Sequence, residues 1–162
     1  VEVPACAEYT PELQLQLLGI DAENIQEPIL DLGCGEHGRL VHHLRERGYQ
    51  AIGVDRTVIE SSHLIKSDWL QMPVTNETWG TVISHMAFSN HFAHHHMRKD
   101  GEPEGYAKMY MSILRSLKKG GRFYYAPGLP FIEELLPPEQ YRVTRIQNEE
   151  QKEFYSTRIE KL

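Results

Sequence analysis

Residues 29–38 read ILDLGCGEHG, an apolar run that ends on an acid and then turns through three glycines. Such a stretch is a strand running into a tight loop, with a helical pattern opening near Arg39. The glycines tolerate φ > 0 and let a ligand approach the backbone, where a side chain would hold it off. Backbone N–H groups and a helix N-terminus then lie close to that ligand. Glycine spacing alone is weak evidence. Asp31, two residues before the first glycine, adds chemistry, because a carboxylate there suits a cationic ligand better than a pyrophosphate. Two further acids stand at matching places. Asp55 follows the apolar run Gln50–Val54, and Asp68 follows Leu64–Lys66 within Ser67-Asp68-Trp69.

Histidine is the other reactive residue type, with nine in the chain. His85 directly follows the apolar run Thr81–Ser84. An imidazole of ordinary pKa ≈ 6.5 accepts a proton from a hydroxyl or amine nucleophile near neutral pH, and His91 is the second candidate base. His91, His94, His95 and His96 cluster. On a helix His91 and His95 would share a face at metal-ligand spacing, but no neighbouring Cys or intervening Glu completes a metal pattern. The charged neighbours Arg98, Lys99 and Asp100 favour a solvated loop, and 91–104 reads as the longest polar, loop-like segment.

These residues need elements to position them. Leu13, Leu17 and Leu18 predict a short helix over Pro11–Leu18. Strands are expected at Ile29–Leu32, Gln50–Val54, Leu64–Lys66, Thr81–Ser84 and Arg122–Ala126. Helices are expected at about Arg39–Arg47, stopped by Gly48, and at Tyr106–Lys118, stopped by Gly120-Gly121. The second carries Tyr106, Met109, Tyr110, Ile113, Leu114 and Leu117 on one stripe. A short helix near Phe131–Leu135 precedes two strands, Tyr141–Gln147 and Glu153–Lys161, joined by a polar turn at Asn148–Lys152. The alternation predicts an α/β fold: a doubly wound, mainly parallel seven-stranded sheet with right-handed crossovers, closed by an antiparallel C-terminal hairpin strand. The chain reads as a single domain, 1–162, with 1–25 as a short helical cap.

Composition narrows the partners. A formal charge of −6 argues against a broad basic surface for nucleic acid. No apolar run nears the ~18 residues of a membrane span. Cys6 and Cys34 are the only cysteines, so a reducing, cytoplasmic setting is expected rather than a disulfide framework.

Taken together and in order, the motifs resemble those of the class I S-adenosylmethionine-dependent methyltransferases. Asp31-Leu32-Gly33-Cys34-Gly35 is similar to the family's first motif and Val54-Asp55 to its second. Ser67-Asp68-Trp69 resembles its third, Trp79-Gly80-Thr81-Val82-Ile83-Ser84 its fourth, and Leu117–Phe123 the turn before strand five. The resemblance runs from about Gln26 to Leu162. It implies S-adenosyl-L-methionine as cofactor, with Asp31 and the Gly33, Cys34 and Gly35 backbone holding the ends of the methionine moiety. Asp55, with Arg56 beside it, would take the ribose hydroxyls; Ser67, Asp68 and Trp69 would meet the adenine. Ser84 and His85 would lie over the methionine, near where the methyl group leaves. Many members place the third glycine one position earlier, where this chain has His37, and Gly38 is expected to supply the freedom.

Bland readings stand beside these. Asp55 would equally cap a helix starting near Thr57, or hold the ribose of a nicotinamide cofactor, since it follows Gly35 by 20 residues. Asp68 would equally cap a turn into Leu70. Tyr106 and Tyr110 belong to the buried stripe, while Tyr9 and Phe88 are candidates to close over cofactor or substrate. Signatures for amide nitrogen, cytosine carbon and ribose hydroxyl acceptors are missing, so the expected acceptor is a small molecule methylated on oxygen or nitrogen. The alternatives are a cofactor-binding but non-catalytic scaffold, an RNA or protein methyltransferase, and a nicotinamide oxidoreductase. A homodimer or a partner subunit is left open.

Overall fold

The computed structural model describes residues 9–71, 75–97, 101, 103–148 and 151–162. Seven strands form one sheet: β1 (Ile29–Leu32), β2 (Ala51–Asp55), β3 (Leu64–Lys66), β4 (Trp79–His85), β5 (Leu117–Ala126), β6 (Tyr141–Asn148) and β7 (Gln151–Lys161). Their order is β3-β2-β1-β4-β5-β7-β6. The first five run parallel, and β7 inserts antiparallel between β5 and β6. The reversal of order lies between β1 and β4. Connections leave their C-terminal ends toward opposite faces there, and this is where open α/β sheets form their ligand crevice.

Five helices cover the sheet: α1 (Pro11–Leu17), α2 (Arg39–Glu46), α3 (Phe88–Met97), α4 (Pro103–Ser116) and α5 (Pro130–Glu133). Alternate residues of the buried strands feed two cores, as the two-residue period of a strand requires. Leu30, Leu32, Val82, Phe123 and Tyr125 pack with the α3, α4 and α5 side. Ile29, Ile83 and Tyr124 pack with α1 and α2, including Leu15, Leu40, Val41 and Leu44. Gly38, at φ +56°, begins α2 in a left-handed conformation, and a Cβ there would sit 2.5 Å from a Leu64 methyl. The freedom displaced from His37 is therefore found at Gly38.

Three expectations need correction. The segment expected as a solvated loop is helical: α3 spans Phe88–Met97, because Phe88 and Phe92, one turn apart, are both buried. The histidine-rich face hides that period in the sequence. Arg98, Lys99 and Asp100 lie outside the described residues. Next, α4 starts earlier than expected and ends at Ser116, and β5 begins at once with Leu117 paired to Trp79. Gly120 and Gly121 are not a helix stop but lie inside a bulged stretch of β5, where Trp79 and Thr81 face Leu117 and Arg122. Finally, the hairpin turn is shorter than expected, since Asn148 already pairs with Gln151; residues 149–150 are not described.

Glu133 closes the C-terminal end of the molecule. Its Oε2 accepts from Tyr125 Oη (2.6 Å), Leu129 N (2.7 Å) and Thr157 Oγ1 (2.8 Å). Its Oε1 accepts from Tyr155 Oη (2.8 Å) and Arg145 Nε (3.2 Å). A buried carboxylate is tolerated only with such saturation. Here it ties α5 to β5, β6 and β7.

Candidate active site

The glycine loop after β1 is bonded to the end of β2. Gly33 N and Cys34 N both donate to Val54 O, at 2.7 and 3.2 Å. Gly35 N donates to Asp55 Oδ2 at 3.0 Å. These three amides are thus engaged within the protein, and the loop offers a ligand close backbone approach rather than spare N–H groups. Gly33 shows why no side chain is possible: at φ +80°, an added Cβ would lie 2.3 Å from Ala87 Cβ and 3.0 Å from Trp69 Cζ2. Cys34 turns its Sγ inward, to Gly35 O at 3.5 Å, and is buried.

A cleft of about 250 Å³ opens beside this loop. The loop and the β4–α3 turn contribute Gly33, Met86 and Ala87. The ends of β2 and β3 contribute Asp55, Arg56, Thr57 and Asp68. Trp69, His91 and Tyr106 contribute rings. Of the residues expected from sequence, Gly33, Asp55, Arg56, Asp68, Trp69 and His91 line the cleft. Asp31, Cys34, Gly35, Ser67, Ser84 and His85 do not, although Gly35 and Ser67 hold its edges through their bonds to Asp55. Met86, Ala87 and Thr57 were not anticipated. Tyr106 lies on its buried stripe as expected and reaches the cleft as well.

Asp31 is 3 % exposed, and no hydrogen-bond donor among the described residues reaches its carboxylate. Burial, and secondarily the negative charge of Asp55, push its carboxyl up to about 7. Such a group is relieved by a cation. Asp55 is better served: Oδ1 accepts from Thr57 N (2.9 Å) and Thr57 Oγ1 (2.8 Å), and Oδ2 from Gly35 N. No helix begins at Thr57, so Asp55 anchors a turn rather than capping a helix. A carboxylate has about four lone-pair sites, which leaves capacity for a further donor. Asp68 Oδ1 accepts from Leu70 N at 3.0 Å, pinning the single 3₁₀ turn Trp69–Gln71. The turn-cap reading is therefore present, on one oxygen.

The two histidine candidates differ sharply. His85 is 1 % exposed, neither ring nitrogen has a partner, and burial pushes its pKa down to about 4. It packs edge-on against Tyr9, ring centroids 4.6 Å apart. His91 is half-buried in the cleft. Burial first, then Arg56 and the neighbouring His95 and His94, hold its pKa below the usual range. Ser84, expected over the methionine, is bonded within the protein and does not line the cleft. Its hydroxyl donates to Leu32 O (2.9 Å) and accepts from Phe88 N (3.0 Å) at the start of α3. Phe88 is a core residue and Tyr9 covers His85, so neither closes over the cleft. His95 lies against Tyr106, and His96 stacks on Phe131 at 3.9 Å. Among the described residues no group of His, Cys, Asp and Glu is arranged to hold a metal ion, and no helix is long and apolar enough to cross a membrane.

No family model matches the chain, and no curated protein is detectably similar. Solved structures are. The N-methyltransferase NodS from Bradyrhizobium japonicum, in complex with S-adenosyl-L-homocysteine, is similar over 99 % of this chain and 93 % of its own, with a TM-score of 0.64 at 15 % identity. A TehB-like SAM-dependent methyltransferase from Corynebacterium glutamicum is similar over 93 % of both chains, with a TM-score of 0.58 at 16 % identity. The 1,6-didemethyltoxoflavin-N1-methyltransferase of Burkholderia thailandensis, with bound 1,6-didemethyltoxoflavin and S-adenosylhomocysteine, gives 0.58 at 16 % identity, over 93 % of this chain and 76 % of that one. The fold is that of the class I S-adenosylmethionine-dependent methyltransferases, as the ordered motifs implied.

Proposed function

We propose that this chain, as a single domain, is a cytoplasmic S-adenosylmethionine-dependent methyltransferase that transfers a methyl group to an oxygen or nitrogen of a small-molecule acceptor. The observation that carries the reading is a cleft at the switch point of the sheet that joins the glycine loop to two carboxylates. Gly33, Asp55 at the end of β2 and Asp68 after β3 line it, and Asp31 is buried in β1 just before the loop. Similarity to methyltransferases holding S-adenosylhomocysteine supports it, as does similarity to two N-methyltransferases.

The residues fit such a cofactor. The unpartnered carboxyl of Asp31 suits a cationic amino group, Asp55 retains room for a ribose hydroxyl, and Asp68 has an oxygen beyond the one its turn uses. When bound, S-adenosylmethionine supplies an electrophilic methyl group on a positively charged sulfur. The protein's share is alignment in a site with little water, which supplies ~7–11 kcal/mol of such barriers. His91 is the better candidate base. It lines the cleft, and Arg56 helps keep its ring unprotonated and ready to accept a proton from a hydroxyl or amine. His85 is enclosed, and a group with so low a pKa is a weak base.

The test is calorimetric titration with S-adenosylmethionine, with NADH in parallel. Binding is expected for the former only. Asp55→Ala is expected to weaken it by ~30–100-fold, the equivalent of about 2–3 kcal/mol for hydrogen bonds to a charged group. No heat with S-adenosylmethionine overturns the reading, and heat with NADH redirects it to an oxidoreductase.

A further inference from the structure

We propose that Trp69 is a gate: its ring lies on Gly33 and against His91, and it turns out of the cleft when the cofactor enters. The proposal rests on the cofactor reading above and deepens it.

Four observations carry it. First, the cleft is small, at about 250 Å³, and the Trp69 ring is one of its walls. Second, the Trp69 ring packs on Gly33, with Cζ2 3.0 Å from where a Cβ would stand. Gly33 is the backbone surface that a ligand held by Asp31 and the loop has to cover. Third, nothing polar holds the ring where it is. Its Nε1 is buried without a hydrogen-bond partner, an unfavourable state for a donor that a turn toward solvent relieves. Its ring neighbours are His91 at 5.0 Å and Phe88 at 6.1 Å between centroids, both near-perpendicular, at the margin of the core. Fourth, the backbone beneath it is pinned. Asp68 Oδ1 accepts from Leu70 N at 3.0 Å and Asp68 O from Gln71 N at 3.1 Å. The movement is thus a side-chain rotation about a fixed turn.

The Trp69–His91 contact gives the gate a consequence. While the ring is in, it packs against the imidazole, the two planes nearly perpendicular. Once the cofactor displaces it, that side of the imidazole is free, and the acceptor meets an available base only when the methyl donor is in place. A group that opens the reacting centre in response to the first ligand imposes an order of binding.

The chain has two tryptophans, Trp69 and Trp79, so Trp79→Phe leaves Trp69 as the single indole reporter. S-adenosylhomocysteine is the probe, and calorimetry on the wild-type protein first establishes its binding. On saturation, the Trp69 emission maximum is expected to move to longer wavelength, because the ring passes into water. A shift to shorter wavelength, or none, means that the ligand merely covers the ring and overturns the gate. Independently of how Trp79→Phe folds, proton NMR of the wild-type His91 ring, assigned with His91→Gln, reads the same contact through the ring current of the indole. The His91 Hε1 resonance is expected to move on binding toward its position in Trp69→Leu; an unchanged separation from that position overturns the proposal. Absence of binding heat overturns the cofactor reading together with the gate. Binding with neither spectral change overturns the gate alone.

Discussion

Asp31 sits where water hardly reaches, and burial together with the charge of Asp55 makes its own charge costly until a cation arrives. Its folded pKa of about 7 lies above the ordinary 3.8. The folded chain therefore binds the proton more tightly than the unfolded one between those values. That contribution to stability is fully present below pH ~4 and is lost as pH rises through ~7. Asp31→Asn, which removes the charge, is expected to unfold at nearly the wild-type temperature at pH 4 and to be more stable at pH 8. The upper limit of that gain is on the order of 4 kcal/mol. Thermal denaturation at the two pH values checks this, and equal stability at pH 8 would show that the carboxylate is not strained. The same variant is expected to lose cofactor binding. In the wild type, a bound cation pulls the proton off, so affinity should climb between pH 6 and pH 8 and then level. At this scale the sequence revealed the type and place of each acid. It could not reveal how deeply Asp31 is buried or that Asp55 lies close enough to raise its pKa, because that depends on residues brought up from elsewhere in the chain.

Elements explain what some candidate residues do within the fold. Ser84, expected over the methionine because it closes the fourth motif, has a hydroxyl that joins Leu32 O of β1 to Phe88 N of α3. The first N–H groups of a helix have no partner within it, and a side-chain oxygen that accepts from one acts as a cap. Ser84→Ala is expected to cost ~1–2 kcal/mol in urea unfolding, with cofactor affinity within twofold of wild type. A large loss of affinity at unchanged stability would return Ser84 to the ligand. Strands β1 and β3 match the expected bounds because their apolar runs stop on polar or glycine residues. The start of β5 did not, since Leu117 to Gly121 looks like a helix end until Trp79 is known to lie beside Leu117. Helix α3 was obscured by its histidines, which belong to a helix only once Phe88 and Phe92 have a core to enter.

For the molecule as a whole, the strand order places the cleft between the β1–β2–β3 and β4–β5 halves of the parallel sheet. The β1–β2–β3 side supplies the acids, and the β4–α3 side supplies Met86, Ala87 and His91. A ligand that bridges these halves stabilises the folded state without acting on the unfolded one. At a concentration 100-fold above its Kd, S-adenosylmethionine is expected to add ~2.7 kcal/mol, a rise in melting temperature of ~5–10 °C for a chain of this size. Differential scanning calorimetry reads that shift, and no rise at such an excess would argue against binding across the cleft. Glu133 lies on the other side of this division. Its five donors come from β5, β6, β7 and the approach to α5, and they hold the C-terminal hairpin in place.

The sequence alone determined the alternation of strand and helix, the parallel sheet with its closing hairpin, the glycine loop and the acids that follow the strands. Each of these is set by local rules: the period of apolar residues, the turn chemistry of glycine, and the need for a polar group where a buried strand ends. Only the tertiary structure decided which histidine reaches the cleft, why Asp31 is uncompensated, that Glu133 gathers five donors, and that Trp69 lies on Gly33. Those facts are contacts between residues far apart in the chain. Their energies depend on burial and on which neighbours packing supplies, and neither is written in local spacing.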